Sequence, residues 1–123
     1  MKQDFTKLLT LLNLNFQDPN LLNQAFIHRS YLNEVRSTLP SNERLEFLGD
    51  VVLSLVITNY LYGQRGKDTE GDLTNLRAFI VKTKSLSEAA KRLQLGSYLK
   101  LSKGEMTSGG NQNPQLLANT YEA

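Results

Sequence analysis

Three carboxylates lie within residues 42–50, which read NERLEFLGD. If this segment is helical, Glu43, Glu46 and Asp50 are spaced i, i+3 and i+7 and share one narrow stripe. Like charges at these spacings repel, and the nearby cation, Arg44, points elsewhere around the helix. A hard divalent cation such as Mg²⁺ would stabilise the stripe, because it takes carboxylate oxygens. The alternative is a solvated face with a few salt bridges.

Two more oxygen ligands are available near the end of the sequence, where Asn119-x-x-Glu122 again has the i, i+3 spacing of one helix face. Glu46 and Asp50 lie one helical turn apart, so both can reach one ion. Two helices that each present such a pair can build a Mg²⁺ site inside a bundle. We therefore predict a metal site formed by Glu46, Asp50, Asn119 and Glu122. Mn²⁺ is expected to be able to replace Mg²⁺.

The elements that must position these residues are predicted to be helical almost throughout, because apolar residues recur at helical spacing. Strand signals are weak: residues 95–101 could be extended, but no pairing partner is visible. We therefore predict an all-α domain. The predicted helices cover approximately residues 5–12, 19–31, 42–62, 73–80, 85–95 and 115 onward.

Local signals set several of these boundaries. Asp18-Pro19 combines an N-cap with a proline at the first helical position, and Ser85-x-x-Glu88 resembles a capping box. Residues 98–114 are rich in Gly, Ser and Asn and are predicted to form a loop. The acidic helix continues into VVLSLVITNYLY, an apolar run that we expect to be buried.

Composition limits the classes of protein. A chain of 123 residues suits one domain with a modest core, and the lack of cysteine excludes disulfides and thiolate metal sites. The net charge of +2 suits a phosphate-binding protein with a separate acidic site, but charge alone favours an ordinary soluble protein. Residues 51–61 are interrupted by polar side chains and are judged too short to span a membrane. No signal peptide is visible, so a cytoplasmic protein is expected. A small-molecule cofactor is not expected.

The segment ERLEFLGD closely resembles the signature of the ribonuclease III family. Four further segments resemble family motifs, in the family's order, and together the five span nearly the whole chain. They are HRSYLNE at 28–34, EGDLTNLRAFIV at 70–81, LGSYLKLSKGE at 95–105 followed by SGG at 108–110, and LLANTYEA at 116–123. The resemblance implies a catalytic endonuclease domain over residues 1–123, a helical bundle that is incomplete at its C-terminus and lacks the double-stranded-RNA-binding domain.

The resemblance also implies an activity. Members of the family are Mg²⁺-dependent homodimers that hydrolyse double-stranded RNA to 5′-phosphate and 3′-hydroxyl ends during rRNA and mRNA processing. The residues matching Glu46, Asp50, Asn119 and Glu122 form the metal cluster, with Asp50 and Glu122 as catalytic residues and Glu43 as a supporting acid. The family usually has aspartate where this chain has Asn119, which predicts weaker Mg²⁺ binding and a higher metal requirement. Two alternatives remain: a catalytically silent RNA-binding or assembly module, and a plain helical interaction domain.

Three other residues have predicted roles. Phe47 lies close to the acidic stripe, and the family resemblance makes it the anchor that inserts into a second subunit. Its alternative is to pack under the N-terminal segment or the 102–114 loop. Gly49 inside a helix indicates close approach of another backbone, which we expect to be that of the helix with Glu122. His28, the sole histidine, is expected to be a structural hydrogen-bonding residue rather than a catalytic base.

The remaining charged residues are less informative. Glu70 and Asp72 are expected to cap a helix, since acids suit the first helical turn. Basic residues in the second half would contact RNA phosphates or form a solvated face. These residues are Lys82, Lys84, Lys91, Arg92, Lys100 and Lys103. Residues 111–113 are uncharged where the family often has basic residues, which predicts a weaker grip on RNA.

Overall fold

The structure is a computed structural model, and it describes residues 3–123. Within these residues the chain forms α-helices and short 3₁₀ helices and no β-strand longer than an isolated bridge, which confirms the predicted all-α class. The helices are α1 (Thr6–Leu12), α2 (Pro19–Ala25), α3 (Glu43–Gln64), α4 (Glu70–Val81), α5 (Thr83–Arg92), α6 (Lys103–Thr107) and α7 (Pro114–Glu122). The 3₁₀ helices are Arg29–Asn33, Leu95–Tyr98 and Gly110–Gln112.

Helix α2 begins as predicted but ends early. The backbone N–H of Asn20 donates to Asp18 Oδ1 at 3.0 Å, which is the expected N-cap. The helix does not continue toward Tyr31, because Ile27 forms an isolated parallel bridge with Lys100. This bridge provides the partner for the extended residues near 100 that the sequence did not reveal.

The expected cap of α4 is present, but the start of α5 and residues 98–114 differ from the prediction. A capping box does precede α4, where Asp72 N donates to Thr69 Oγ1 at 3.2 Å, so the capping role of Asp72 is confirmed. The capping box predicted at Ser85 is wrong: α5 begins at Thr83, and the Ser85 hydroxyl inside it donates to Phe79 O at 2.8 Å. Residues 98–114 are not simply a loop, because they contain α6 and a 3₁₀ helix.

The core fixes the position of α7, which packs against α5 on one side and α3 on the other. Ala90 of α5 and Leu117 of α7 are almost fully buried. Phe5 stacks close to Phe26 and Tyr98, with ring centroids 5.1 and 5.4 Å away. Since α7 is held on two sides, the side chains at its C-terminal end have a fixed relation to α3.

Helix α3 is not buried, contrary to the expectation from its apolar sequence. Leu61 is the buried residue within it, and Phe47 is 81% exposed. The exposed large side chains, here called the apolar face of α3, are Phe47, Leu48, Val51, Val52, Leu55, Val56, Tyr60 and Tyr62. The 22-residue helix contains an 18-residue stretch with a mean hydropathy of 1.3, so the whole of α3, unlike residues 51–61 alone, could cross a membrane by length and composition.

Asn42 joins the start of α3 to the rest of the domain. It is 4% exposed, its Nδ2 donates to Ala25 O at 3.0 Å, and its backbone N–H donates to Ile27 O at 2.8 Å. Asn42→Ala would leave a buried carbonyl unpaired, so we expect it to lower the free energy of unfolding by about 1–3 kcal/mol in urea denaturation. Asn20→Ala, at an exposed position, is the control and should change it little. Equal effects would contradict this role of Asn42.

Candidate active site

Helices α3 and α7 approach each other closely at Gly49. A Cβ atom built on Gly49 would lie 1.7 Å from the backbone oxygen of Glu122 and 2.6 Å from its carbonyl carbon. No side chain fits at such distances, so only glycine permits this approach. The expectation that Gly49 makes room for the helix carrying Glu122 is therefore confirmed. The approach also places Glu122 beside Asp50, the residue after Gly49.

Three carboxylates influence one another at this crossing. Partial burial raises the pKa of Glu122 to about 7, and the charge of Asp50, a hydrogen bond with Asp50 and the charge of Glu46 add to the effect. Partial burial also raises the pKa of Glu46, with further contributions from the charges of Glu43 and Asp50. The structure thus brings Glu46, Asp50 and Glu122 into one negatively charged cluster, with Glu43 at its margin.

No basic side chain within the described residues forms an ion pair with this cluster. Across residues 3–123 the one ion pair joins Arg65 and Asp68, just after the end of α3. Glu43 accepts a hydrogen bond from the Ser41 hydroxyl at 3.0 Å, which is a neutral partner. In the part of the chain that the structure describes, the acidic stripe therefore has none of the salt bridges that the alternative of a solvated face would provide.

Asn119 reaches the same cluster from α7. One terminal atom of its side-chain amide lies 3.3 Å from Glu46 Oε1, 3.1 Å from Gln115 O and 2.8 Å from Gln115 Nε2. Asn119 therefore contacts Glu46, as the predicted ligand set requires. Gln115 was not among the predicted site residues, although its i, i+4 spacing from Asn119 places both residues on one face of α7.

A cleft of about 290 Å³ opens next to Glu46 and Asn119. Its lining comes from α3, α7 and the 3₁₀ helix near residue 29. The lining residues are His28, Arg29, Asn42, Glu43, Glu46, Gln115, Leu116, Asn119 and Thr120. Asp50 and Glu122 lie outside this cleft, so the acids extend from it along the crossing. Arg29 is a cationic neighbour of the cleft that the sequence analysis did not single out.

His28 makes the structural hydrogen bonds that were expected of it. Its Nδ1 lies 2.7 Å from Ser30 Oγ and accepts from the backbone N–H of Ser30 at 3.2 Å. Ser30 Oγ in turn accepts from the backbone N–H of Ser102 at 3.0 Å, which ties the 3₁₀ helix to the start of α6. Burial lowers the pKa of His28, which favours the neutral ring that this arrangement uses.

The donor atoms of the cluster suit a hard divalent ion. All are carboxylate or amide oxygens, and three of the four side chains are acids without an ion-pair partner in residues 3–123. However, no three His, Cys, Asp or Glu side chains within the same residues are arranged to hold a metal ion by themselves. The residues fit the ion by the chemistry and charge of their donor atoms, but not yet by their arrangement. The ligand set of Glu46, Asp50, Asn119 and Glu122 therefore stays a prediction.

Of the basic residues named above, Lys84, Lys91 and Arg92 lie on α5 and Lys82 is its N-cap, whereas Lys100 follows the second 3₁₀ helix and Lys103 begins α6. All except Lys100 are exposed, and Lys82 places its Nζ 4.0 Å from the centre of the Phe79 ring. Within residues 111–113, Asn113 has a structural task, because its Oδ1 accepts from Gln115 N at 2.9 Å and caps α7. RNA contact by any of these residues stays a prediction.

Comparison with known sequences identifies the relatives of this chain. A family model described as ribonuclease-III-like matches residues 18–123. The chain is 48% identical over 123 residues to Ribonuclease 3 of Halalkalibacterium halodurans, covering 99% of this chain and 47% of the relative. It is 47% identical over 124 residues to Ribonuclease 3 of Streptococcus pneumoniae, covering 100% and 53%. The chain thus spans about half the length of the curated relatives it matches.

Comparison with solved structures agrees with the fold. A structure of the nuclease domain of ribonuclease III from Campylobacter jejuni, described for structural flexibility in a region involved in dimer formation, matches with a TM-score of 0.88. The identity is 41%, and the match covers 97% of this chain and 80% of that one. A second structure of that nuclease domain matches with a TM-score of 0.87 at 40% identity, covering 98% and 79%. The fold, the five motifs and these matches agree, and the chain belongs to the ribonuclease III family.

Proposed function

We propose that the chain is the catalytic part of a Mg²⁺-dependent endoribonuclease that hydrolyses double-stranded RNA to 5′-phosphate and 3′-hydroxyl ends. Its place would be rRNA and mRNA processing in the cytoplasm. The observation that carries the proposal is the convergence of Glu46, Asp50 and Glu122 at the α3–α7 crossing in a chain of this family. Acids whose pKa values are raised by burial and by neighbouring charges are candidates for a functional site.

The side chains would divide the work as follows. Glu46, Asp50, Asn119 and Glu122 would hold the divalent ion through their oxygens, and Glu43 would add negative charge. When bound, the ion would stabilise charge on the attacking and leaving oxygens of the phosphodiester. Because the pKa of Glu122 is about 7, part of the metal-free molecules carry a proton there at neutral pH. Loading the site would displace that proton.

The proposed working unit is a homodimer joined through the apolar face of α3. Phe47 is exposed, so its alternative of packing under other parts of the described chain is wrong. A patch of this kind marks an interaction surface, because exposed apolar area is unfavourable in water. A membrane would also cover it, but α3 packs on α7 and α4 and carries Glu46 and Asp50, which favours a protein partner.

Phe47→Ala should convert the dimer to monomers. Large aromatic anchors at an interface commonly contribute more than about 2 kcal/mol, which weakens association roughly 30-fold. Sedimentation velocity over a range of protein concentrations would measure the change. Leu11→Ala, which shortens a side chain 65% exposed on α1, is the matched control. If the Phe47 variant dimerises as tightly as the control, Phe47 is not the anchor.

Cleavage of a labelled RNA duplex tests the proposed function. The purified chain should cut with Mg²⁺ but not with Ca²⁺, and Glu46→Ala should not cut. An intact duplex that is nevertheless shifted on a gel would instead support the silent RNA-binding or assembly module, for which the neutral Asn119 is the argument. A duplex that is neither cut nor shifted would contradict both functions.

Asn119→Asp should lower the metal requirement. An added carboxylate strengthens the attraction for the cation, so half-maximal cleavage should need about three- to tenfold less Mg²⁺, as expected for about 1 kcal/mol of extra binding. The measurement is the cleavage rate across a Mg²⁺ titration. Asn111→Asp adds the same charge away from the cluster and should leave the titration unchanged. An unchanged midpoint for Asn119→Asp would show that asparagine does not weaken the site.

A further inference from the structure

The amides of Gln115 and Asn119 form a pair at the edge of the acidic cluster. The Asn119 atom that faces Glu46 has three polar neighbours, and two of them, Gln115 O and Glu46 Oε1, are hydrogen-bond acceptors. The third is the terminal amide of Gln115, 2.8 Å away, which can donate or accept depending on which way it is turned. The amide of Gln115 is therefore the adjustable neighbour.

Two arrangements satisfy the pair. If Gln115 Nε2 donates, Asn119 presents Oδ1, and this oxygen also faces Glu46 Oε1 at 3.3 Å. The same oxygen lies 3.1 Å from Gln115 O, so it faces two acceptors, and a bound cation would offset the repulsion among these oxygens. If both amides turn over, Asn119 presents Nδ2 and donates to Glu46, and Gln115 accepts through Oε1. This second arrangement gives Glu46 a hydrogen-bond partner without a cation. Turning one amide alone would set donor against donor or acceptor against acceptor.

We propose that Gln115 is a positioning residue, which turns the oxygen of Asn119 toward the cation in the loaded site and its nitrogen toward Glu46 in the empty one. The inference rests on the metal site of the proposed function and concerns the residue that orients one ligand. Asparagine needs such a partner, because its two ends differ. Aspartate would not, since both of its terminal atoms are oxygens.

The direction of the effect follows from the neighbours. Without the amide of Gln115, the acceptors Gln115 O and Glu46 Oε1 remain, and both favour the nitrogen of Asn119. Gln115→Met keeps a chain of similar length and helix propensity but removes the amide. The variant should therefore hold Asn119 in the nitrogen-inward arrangement and weaken cation binding. Gln115 is exposed, so the fold should tolerate the change.

Calorimetric titration of the whole chain with Mg²⁺, without RNA, is the test. Gln115→Met should weaken binding about three- to tenfold, which corresponds to the loss of about one hydrogen bond. In an Asn119→Asp background the same replacement should change binding less than about twofold, since no end of the ligand needs choosing. Gln112→Met, at an exposed position outside the pair, is the control. Side-chain amide NMR signals of residues 115 and 119 should shift together when Mg²⁺ is added to the unaltered chain.

Each outcome decides between the claims. Unchanged binding in Gln115→Met would overturn the positioning role. Equal weakening with and without the Asn119→Asp replacement would also overturn it, because that result indicates a merely structural effect. In both cases the proposed metal-dependent function would stand. If neither the unaltered chain nor Asn119→Asp binds Mg²⁺, the proposed function fails, and the positioning role fails with it.

Discussion

Gly49→Ala should abolish RNA cleavage and destabilise the protein by about 3 kcal/mol or more. This energy is the upper range for a side chain forced into a filled space. The added methyl carbon would occupy a point 1.7 Å from Glu122 O, so α7 would have to move away from α3. That movement would separate Glu122 from Asp50. Helix propensity alone predicts the opposite sign, a gain of about 1 kcal/mol. Urea denaturation and the duplex assay would measure the two effects.

Gly63→Ala is the matched control within the same helix. A Cβ atom there has no heavy atom within 4 Å, so the propensity gain should appear, and we expect about 0.5–1 kcal/mol of added stability. The difference in sign between the two variants isolates the effect of the helix crossing. If Gly49→Ala is as stable as Gly63→Ala, the close approach of α7 is contradicted.

Glu122→Gln should reduce cleavage on the order of 100-fold or more, as for the loss of one essential group in an active site. Yet it should make the metal-free protein less sensitive to rising pH. The pKa of Glu122 is raised from an ordinary 4.5 to about 7, so the folded state holds this proton more tightly than the unfolded state does. The resulting stability is complete below about pH 4.5 and is lost as pH rises through about 7.

Thermal melts in EDTA between pH 5 and pH 8 would check this second effect. The unaltered chain should lose more stability across that range than Glu122→Gln, whose side chain does not titrate. Glu88→Gln, at an exposed position on α5, should behave as the unaltered chain does. If the chain and the Glu122 variant lose the same stability, Glu122 does not hold its proton in the way described.

Local chemistry made much of the fold predictable. The Asp18 cap, the span of α3 and the start of α7 depend on residues within a few positions, and each lies close to its predicted place. The bridge between Ile27 and Lys100 was not predictable, because it joins residues far apart in sequence that carry no pattern of their own. Ser85 was misread because its spacing to an acid fits a cap equally well inside a helix.

The candidate site was predictable to a similar extent. Spacing and resemblance identified the acids, and the conformational cost of Gly49 correctly indicated the approach of α7. Apart from Phe47, the exposure of the apolar face of α3 was not predicted, since an apolar sequence does not state whether its own chain or a partner covers it. Nor does sequence show which end of the Asn119 amide faces Glu46.

Neighbouring positions among the nine residues from 42 to 50 require different kinds of side chain. Asn42 must pair buried carbonyls, Glu46 and Asp50 must face the cluster, Phe47 must remain exposed for a partner, and Gly49 must have no side chain. A side chain that is suitable at one of these positions is therefore unsuitable at the next, and few replacements are tolerated anywhere in the stretch. This stretch should have the lowest mutational tolerance of the chain, and that is why so short a motif can identify a family.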